Sequence, residues 1–127
     1  MTQVKVVDTD VLIDFLRGVP PAVDFVTRHA DAIVISSIAV TELYAGVRVH
    51  ERETLDTFLT LFHIAPVDHE LALVAGLLRR DYGPSHGLAL ADAVIAATAQ
   101  QHDAELVTLN VRHFPMFPDL APPYTRS

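Results

Sequence analysis

Short β-branched stretches alternate along this chain with longer segments whose apolar residues recur every three or four positions. Residues 4–7 (Val-Lys-Val-Val) end directly at Asp8 and read as a buried strand. Residues 11–17 follow as a short helix with Gly18 as its stop, and Pro20-Pro21 opens a second helix to about His29. Residues 32–35 predict the next strand, after which Ser36 or Ser37 can cap the helix that carries Glu42. Leu55, Phe58, Leu59 and Phe62 mark another amphipathic helix, and residues 64–67 a short strand whose Pro66 suggests a sheet edge. Leu71, Val74, Ala75 and Leu78 predict a helix ending near Gly83-Pro84. Residues 90–101 predict an Ala-rich helix and residues 105–108 a final strand. Beyond Phe114 the chain is Pro-rich and reads mostly as loop.

Strands separated by helices imply an α/β fold, with a central parallel sheet of about four to five strands flanked by helices on both faces. At 127 residues, without repeats or low-complexity segments, the chain is expected to be a single domain over residues 1–127. Sites in such sheets form beyond the carboxyl ends of the strands, near a switch in strand order. Asp8 and Asn110 both lie just past predicted strands.

Composition narrows the function classes. Half the residues are apolar and mean hydropathy is +0.31, a rich core supply that can also cover a subunit or partner interface. No apolar run approaches the ~20 residues of a membrane span, the N-terminus has no signal-peptide pattern, and cytoplasmic residence is expected. The absence of cysteine excludes disulfides and thiolate metal sites. A net charge of −7 argues against broad nucleic-acid binding, so a nuclease would need a local basic patch, a bridging metal, or both.

Three carboxylates stand out by context. Asp8 follows an apolar strand, where a carboxylate is costly to bury unless paired or bound to a cation; alternatively it, or Asp10, caps the following helix. Glu42 is surrounded by Ile38, Ala39, Val40, Leu43 and Ala45, and periodicity alone favours a narrow solvated stripe over a site. Asp92 is the one charged residue between Asp81 and Asp103, near a helix start where the macrodipole would also favour it. Carboxylates from separate segments suit Mg²⁺ or Mn²⁺, which clamp phosphate oxygens and activate water for in-line attack.

The surroundings of these acids resemble the motifs of the PIN-domain ribonucleases, and within them the VapC-type toxins. The run Asp-Thr-Asp-Val-Leu-Ile-Asp-Phe-Leu-Arg-Gly at residues 8–18 is similar to the family's opening motif. Thr-Glu-Leu-Tyr-Ala-Gly at 41–46 is similar to its second, Ala-Asp-Ala-Val-Ile-Ala-Ala-Thr-Ala at 91–99 to its third, and Leu-Val-Thr-Leu-Asn-Val-Arg-His-Phe at 106–114 to its fourth. They occur in order across nearly the whole chain. The resemblance implies a PIN-like three-layer sandwich. It makes Asp8 and Asp92 the principal metal ligands, with Glu42 completing the acidic pocket, and has Thr9 and Thr108 in support. The fourth position, often Asp in the family, is Asn110 here, which weakens the case for a second tightly held metal. Asp119 in the tail is a minor candidate.

The activity so implied is Mg²⁺-dependent endonucleolytic cleavage of RNA, with Mn²⁺ able to substitute. Transfer or ribosomal RNA would be the target, and translation would stop. A cognate antitoxin would neutralise the chain by placing a tail Arg or Lys in the acidic groove. A homodimer is implied, with no membrane association, and contact with DNA only through the antitoxin. Arg17 and Arg112 follow motifs near the site and are the best phosphate candidates, against the alternative of ordinary surface charge.

Two other readings compete. Residues 6–12 also fit the opening of haloacid-dehalogenase phosphatases, with Asp8 as covalent nucleophile and Asp10 as acid, but the later cation and paired acids of that chemistry are missing. Asn110 could instead mark a degenerate, non-catalytic partner-binding module. The seven histidines are scattered without a zinc-ligand pattern, no Gly-rich phosphate loop is present, and Tyr44 is expected to pack rather than stack on bases.

Overall fold

A computed structural model describes residues 3–125. Of the single domain expected over residues 1–127, the two residues at each end lie outside the described part. Four strands, β1 (Lys5–Val7), β2 (Ile33–Ser36), β3 (His63–Ala65) and β4 (Glu105–Val107), pair in parallel in the order β3-β2-β1-β4. The longer helices are α1 (Thr9–Leu16), α2 (Pro20–His29), α3 (Ser37–Ala45), α4 (Arg52–Leu59), α5 (His69–His86) and α6 (Leu90–Gln101). Every residue of β2 is buried. Successive side chains of a strand point to opposite faces, so helices must cover both faces of the sheet there, as the unbroken Ile-Val-Ile run anticipates. The buried alanines of α6, including Ala93, Ala96 and Ala97, let that helix lie close to β1, β2 and β4, all of which it contacts.

The strand order determines where a site can form. The chain steps outward from β1 to β2 to β3, and then α5 and α6 carry it back to β4, on the far side of β1. Connections therefore leave β1 and β4 in opposite directions, opening a crevice beyond their carboxyl ends. Register pairs Val6 with Leu106 and Val7 with Val107, and the Asp8 N–H donates to the Val107 carbonyl at 2.8 Å. The residues just past β1 and just past β4 are thus fixed side by side.

Beyond one-residue shifts of the strand ends, four elements differ from the sequence expectation. α1 begins at Thr9 rather than at residue 11, because Asp8 caps it. Helix α4 ends at Leu59, and Phe62 beyond it packs edge-on against Phe58, with ring centroids 5.0 Å apart. Strand β3 does hold the sheet edge but stops at Ala65, leaving Pro66 and Val67 outside. α5 runs past Gly83-Pro84 to His86. Pro84 removes one backbone donor in the last turn without ending the helix. The stop is Gly87, whose left-handed φ of 68° lets its N–H donate to the Gly83 carbonyl at 3.0 Å.

A Cβ added at Gly87 would meet only His113 Nε2, at 3.9 Å. The cost of Gly87→Ala is therefore conformational. Urea denaturation should show a loss of about 1–2 kcal/mol, and a smaller loss for Gly87→Asn, because Asn tolerates the left-handed region.

Candidate active site

Asp8 is the buried centre of the crevice, with 4% of its surface exposed. One carboxylate oxygen, Oδ1, accepts the Thr9 N–H at 2.8 Å, and the other, Oδ2, accepts the Thr108 hydroxyl at 2.7 Å. Thr108, fully buried just past β4, accepts the Asn110 N–H at 3.1 Å with the same hydroxyl. The Asn110 side-chain amide donates to Asp10 Oδ2 at 3.3 Å, and the Leu109 N–H donates to that oxygen at 3.0 Å. On the other side, the Thr9 hydroxyl donates to Glu42 Oε1 at 2.7 Å. One continuous relay therefore runs from Glu42 through Thr9, Asp8, Thr108 and Asn110 to Asp10.

Asp92 enters from the first turn of α6. Its Oδ2 accepts the Ala89 N–H at 3.2 Å and lies 3.8 Å from His113 Nδ1. The capping reading of this residue holds, since it satisfies a helix-start donor, and its charge also acts on Asp8. Asp8 likewise caps α1 and belongs to the cluster. Glu42 is exposed, as the stripe reading has it, yet its carboxylate is turned to Thr9.

Burial dominates the electrostatics of Asp8, and neighbouring negative charge adds to it. Burial, then the neighbouring Asp10, and further the Asp92 carboxylate push the Asp8 carboxyl from 3.8 up to about 7, against the opposing hydrogen bonds from Thr108 and Thr9. That displacement corresponds to on the order of 4 kcal/mol against the charged form. No lysine, arginine or histidine figures among the groups acting on Asp8. Hard oxygen donors around a desolvated carboxylate are the chemistry that Mg²⁺ or Mn²⁺ binds. Among the described residues, no three acids or histidines stand close enough to enclose an ion as they are now arranged. A cation would have to draw the carboxylates together.

The crevice thus gathers Asp8, Glu42, Asp92 and Asn110, with Thr9 and Thr108 between them. It also brings in two residues given no part in the ribonuclease reading. Asp10 was read only as a possible helix cap or as the acid of phosphatase chemistry. His113 was read as one of seven scattered histidines, although it lies in the same motif as Asn110. Arg17 lines a groove that reaches Glu42, while Arg112 is exposed on a 3₁₀ turn at residues 111–113. Asp119 has no hydrogen bond or ion pair to the cluster among the described residues. Tyr44 packs, as expected: its hydroxyl bonds Asp56 of α4 and the Arg52 guanidinium lies 5.4 Å from its ring centroid.

Comparison with known proteins gives concordant results. The PIN-domain family profile matches residues 5–118. Ribonuclease VapC19 of Mycobacterium tuberculosis is 43% identical over 124 residues, which cover 94% of this chain and 99% of that protein. A toxin–antitoxin complex from Klebsiella pneumoniae contains a chain of the same fold, with TM-score 0.82 and 31% identity over 94% of this chain and 98% of that one. VapBC2 from Rickettsia felis, solved bound to a DNA fragment from its promoter, matches with TM-score 0.75 and 25% identity over 92% of this chain and 95% of that one.

The raised Asp8 carboxyl has a consequence for stability. The folded chain holds this proton more tightly than the unfolded chain, so the metal-free protein should lose stability as pH rises from about 4 through about 7, then level off. Chemical denaturation at several pH values should show that slope, and Asp8→Asn should flatten it.

Proposed function

Given that this chain belongs to the PIN-domain family, we propose that it is a divalent-metal-dependent endoribonuclease, the toxin of a toxin–antitoxin pair. The observation that carries the reading is Asp8, buried at the β1/β4 switch point and flanked by Asp10 and Asp92. Asp8 and Asp92 would be the principal ligands of Mg²⁺, or of Mn²⁺ in its place, with Glu42 completing the set. Once bound, such a cation neutralises phosphate oxygens and lowers the pKa of an attacking water.

The chain's own groups prepare for that role. Thr108 and the Thr9 N–H orient the two oxygens of Asp8, and the Thr9 hydroxyl orients Glu42. Supporting bonds of this kind fix ligand geometry around a metal. Asn110 is a neutral donor to Asp10 where a further acid would add repulsion, which favours one tightly held ion. In the reaction, water adds to phosphorus, the P–O bond to the leaving ribose oxygen breaks, and that oxygen takes up a proton; no covalent enzyme intermediate forms. The phosphatase reading of the Asp-x-Asp motif gives way to this one, because Asp10 is held by the Leu109 N–H and the Asn110 amide and the family is another.

The names of the relatives support a toxin–antitoxin setting, and the finer reading rests on the resemblance of the motifs. The substrate would be transfer or ribosomal RNA and the outcome arrested translation. The cognate antitoxin would hold the acids with a basic tail residue and carry any contact with DNA. We further read the chain as a single cytoplasmic domain that forms a homodimer; no helix among the described residues is long and apolar enough to cross a membrane.

The test is cleavage of total RNA from a susceptible host by antitoxin-free protein, with Mg²⁺, with Mn²⁺ and with EDTA. Discrete fragments should appear with either metal and vanish with EDTA. Asp92→Asn should lower the cleavage rate by on the order of 10²-fold or more, and Thr108→Val by roughly 10- to 100-fold. A folded wild type that neither cleaves nor binds Mn²⁺ would contradict the reading and leave a partner-binding module.

A further inference from the structure

Helix α1 carries a buried carboxylate that the proposed chemistry does not use. Asp14 lies one turn beyond Asp10, on the same side of the helix, and is as deeply buried as Asp8. It stands in the last turn of α1, where the helix dipole disfavours negative charge and no basic residue of that turn offsets it. Burying a carboxylate there is costly unless donors meet it. One donor is the Tyr124 hydroxyl, 2.9 Å from Asp14 Oδ2, which arrives from 110 positions further along the chain.

The segment that delivers Tyr124 is the one that leaves the acid cluster. Thr108, Leu109 and Asn110 follow one another past β4 and grip the start of α1. The Thr108 hydroxyl donates to Asp8, and the Leu109 N–H and the Asn110 side chain donate to Asp10. Phe114 is then buried in the core, and Met116, Phe117 and Leu120 pack against that core before the chain reaches Tyr124. The Pro-rich stretch forms no helix or strand after residue 113 among the described residues, yet it is anchored along its length. It is a strap that holds α1 at both ends, by Asp8 and Asp10 at the start and by Asp14 in the last turn, on a frame pinned by Phe114.

We infer that Tyr124 is a positioning residue for the Asp8–Asp10 edge of the acidic site, acting through Asp14 and the axis of α1. The inference rests on the ribonuclease reading for what that edge binds, and adds a residue that keeps the edge in place. An eight-residue helix is a stiff rod about 12 Å long, so releasing its far end tilts the near end, where Asp8 and Asp10 meet residues 108–110. Ligands of a cation must be held to within about 0.5 Å, so a small tilt is felt as lost affinity.

Tyr124→Phe keeps the packing of the ring and removes only the hydroxyl, so the variant should fold. Two readouts are taken on the full chain without antitoxin. One is amide hydrogen exchange of Leu109 and Asn110, whose N–H groups bond Asp10 and Thr108; the other is calorimetric affinity for Mn²⁺. In Tyr124→Phe both amides should exchange roughly tenfold faster, and Kd for Mn²⁺ should rise roughly fivefold. Asp14→Leu should do the same, and adding Tyr124→Phe to it should change neither readout further, because both act through one bond. Leu71→Val, buried in α5, controls for general destabilisation: it should lower the urea midpoint and leave Mn²⁺ affinity unchanged. Unchanged exchange in Tyr124→Phe would overturn the assignment. So would faster exchange with unchanged Mn²⁺ affinity, since the strap would then serve stability alone. A wild type that binds no Mn²⁺ would count against the nuclease reading alone, with exchange at Leu109 and Asn110 still deciding whether Tyr124 positions that edge.

Discussion

A carboxylate buried among other carboxylates is an unfavourable arrangement, and the upper end of this sheet is organised around one. Asp8 must sit where it does because β1 ends there and α1 begins there, and its backbone N–H is locked to β4. Desolvation and the charges of Asp10 and Asp92 all oppose its ionisation. Two hydrogen bonds offset part of that cost, but neither brings a positive charge. On the proposed function, a cation bound here would relieve the same repulsion that destabilises the metal-free protein.

The relay around Asp8 explains why threonine and asparagine stand at positions that carry no charge. Thr9 and Thr108 each connect a carboxylate to a neighbouring element, α3 in one case and the chain after β4 in the other. Asn110 spans the remaining gap to Asp10. Removing any one breaks the relay at that point and leaves a carboxylate or its partner without that hydrogen bond. The hydrogen bonds thus link the acids into one unit.

Much of this was legible in the sequence. The alternation of β-branched runs with helical periodicity gave four parallel strands in place, because strands buried on both faces are apolar throughout. Ordered motifs around Asp8, Glu42 and Asp92 identified the family. Helix ends were less legible: Pro84 looked like a stop, yet only Gly87 adopts the backbone that ends α5. Periodicity also could not tell that exposed Glu42 turns inward, since a hydrogen bond to Thr9 decides it. His113 was hidden for a similar reason, because its approach to Asp92 depends on the turn after β4 bringing two distant segments together.

The proposal that Asp8, its carboxyl pushed up to about 7, is a ligand of a divalent cation is tested most directly by calorimetric titration with Mn²⁺ in two buffers of different ionisation enthalpy. Near pH 6, binding should release close to one proton per ion, and above pH 8 the release should fall toward zero as Asp8 becomes ionised beforehand. Binding that releases no proton at either pH, or that persists undiminished in Asp8→Asn, would contradict it.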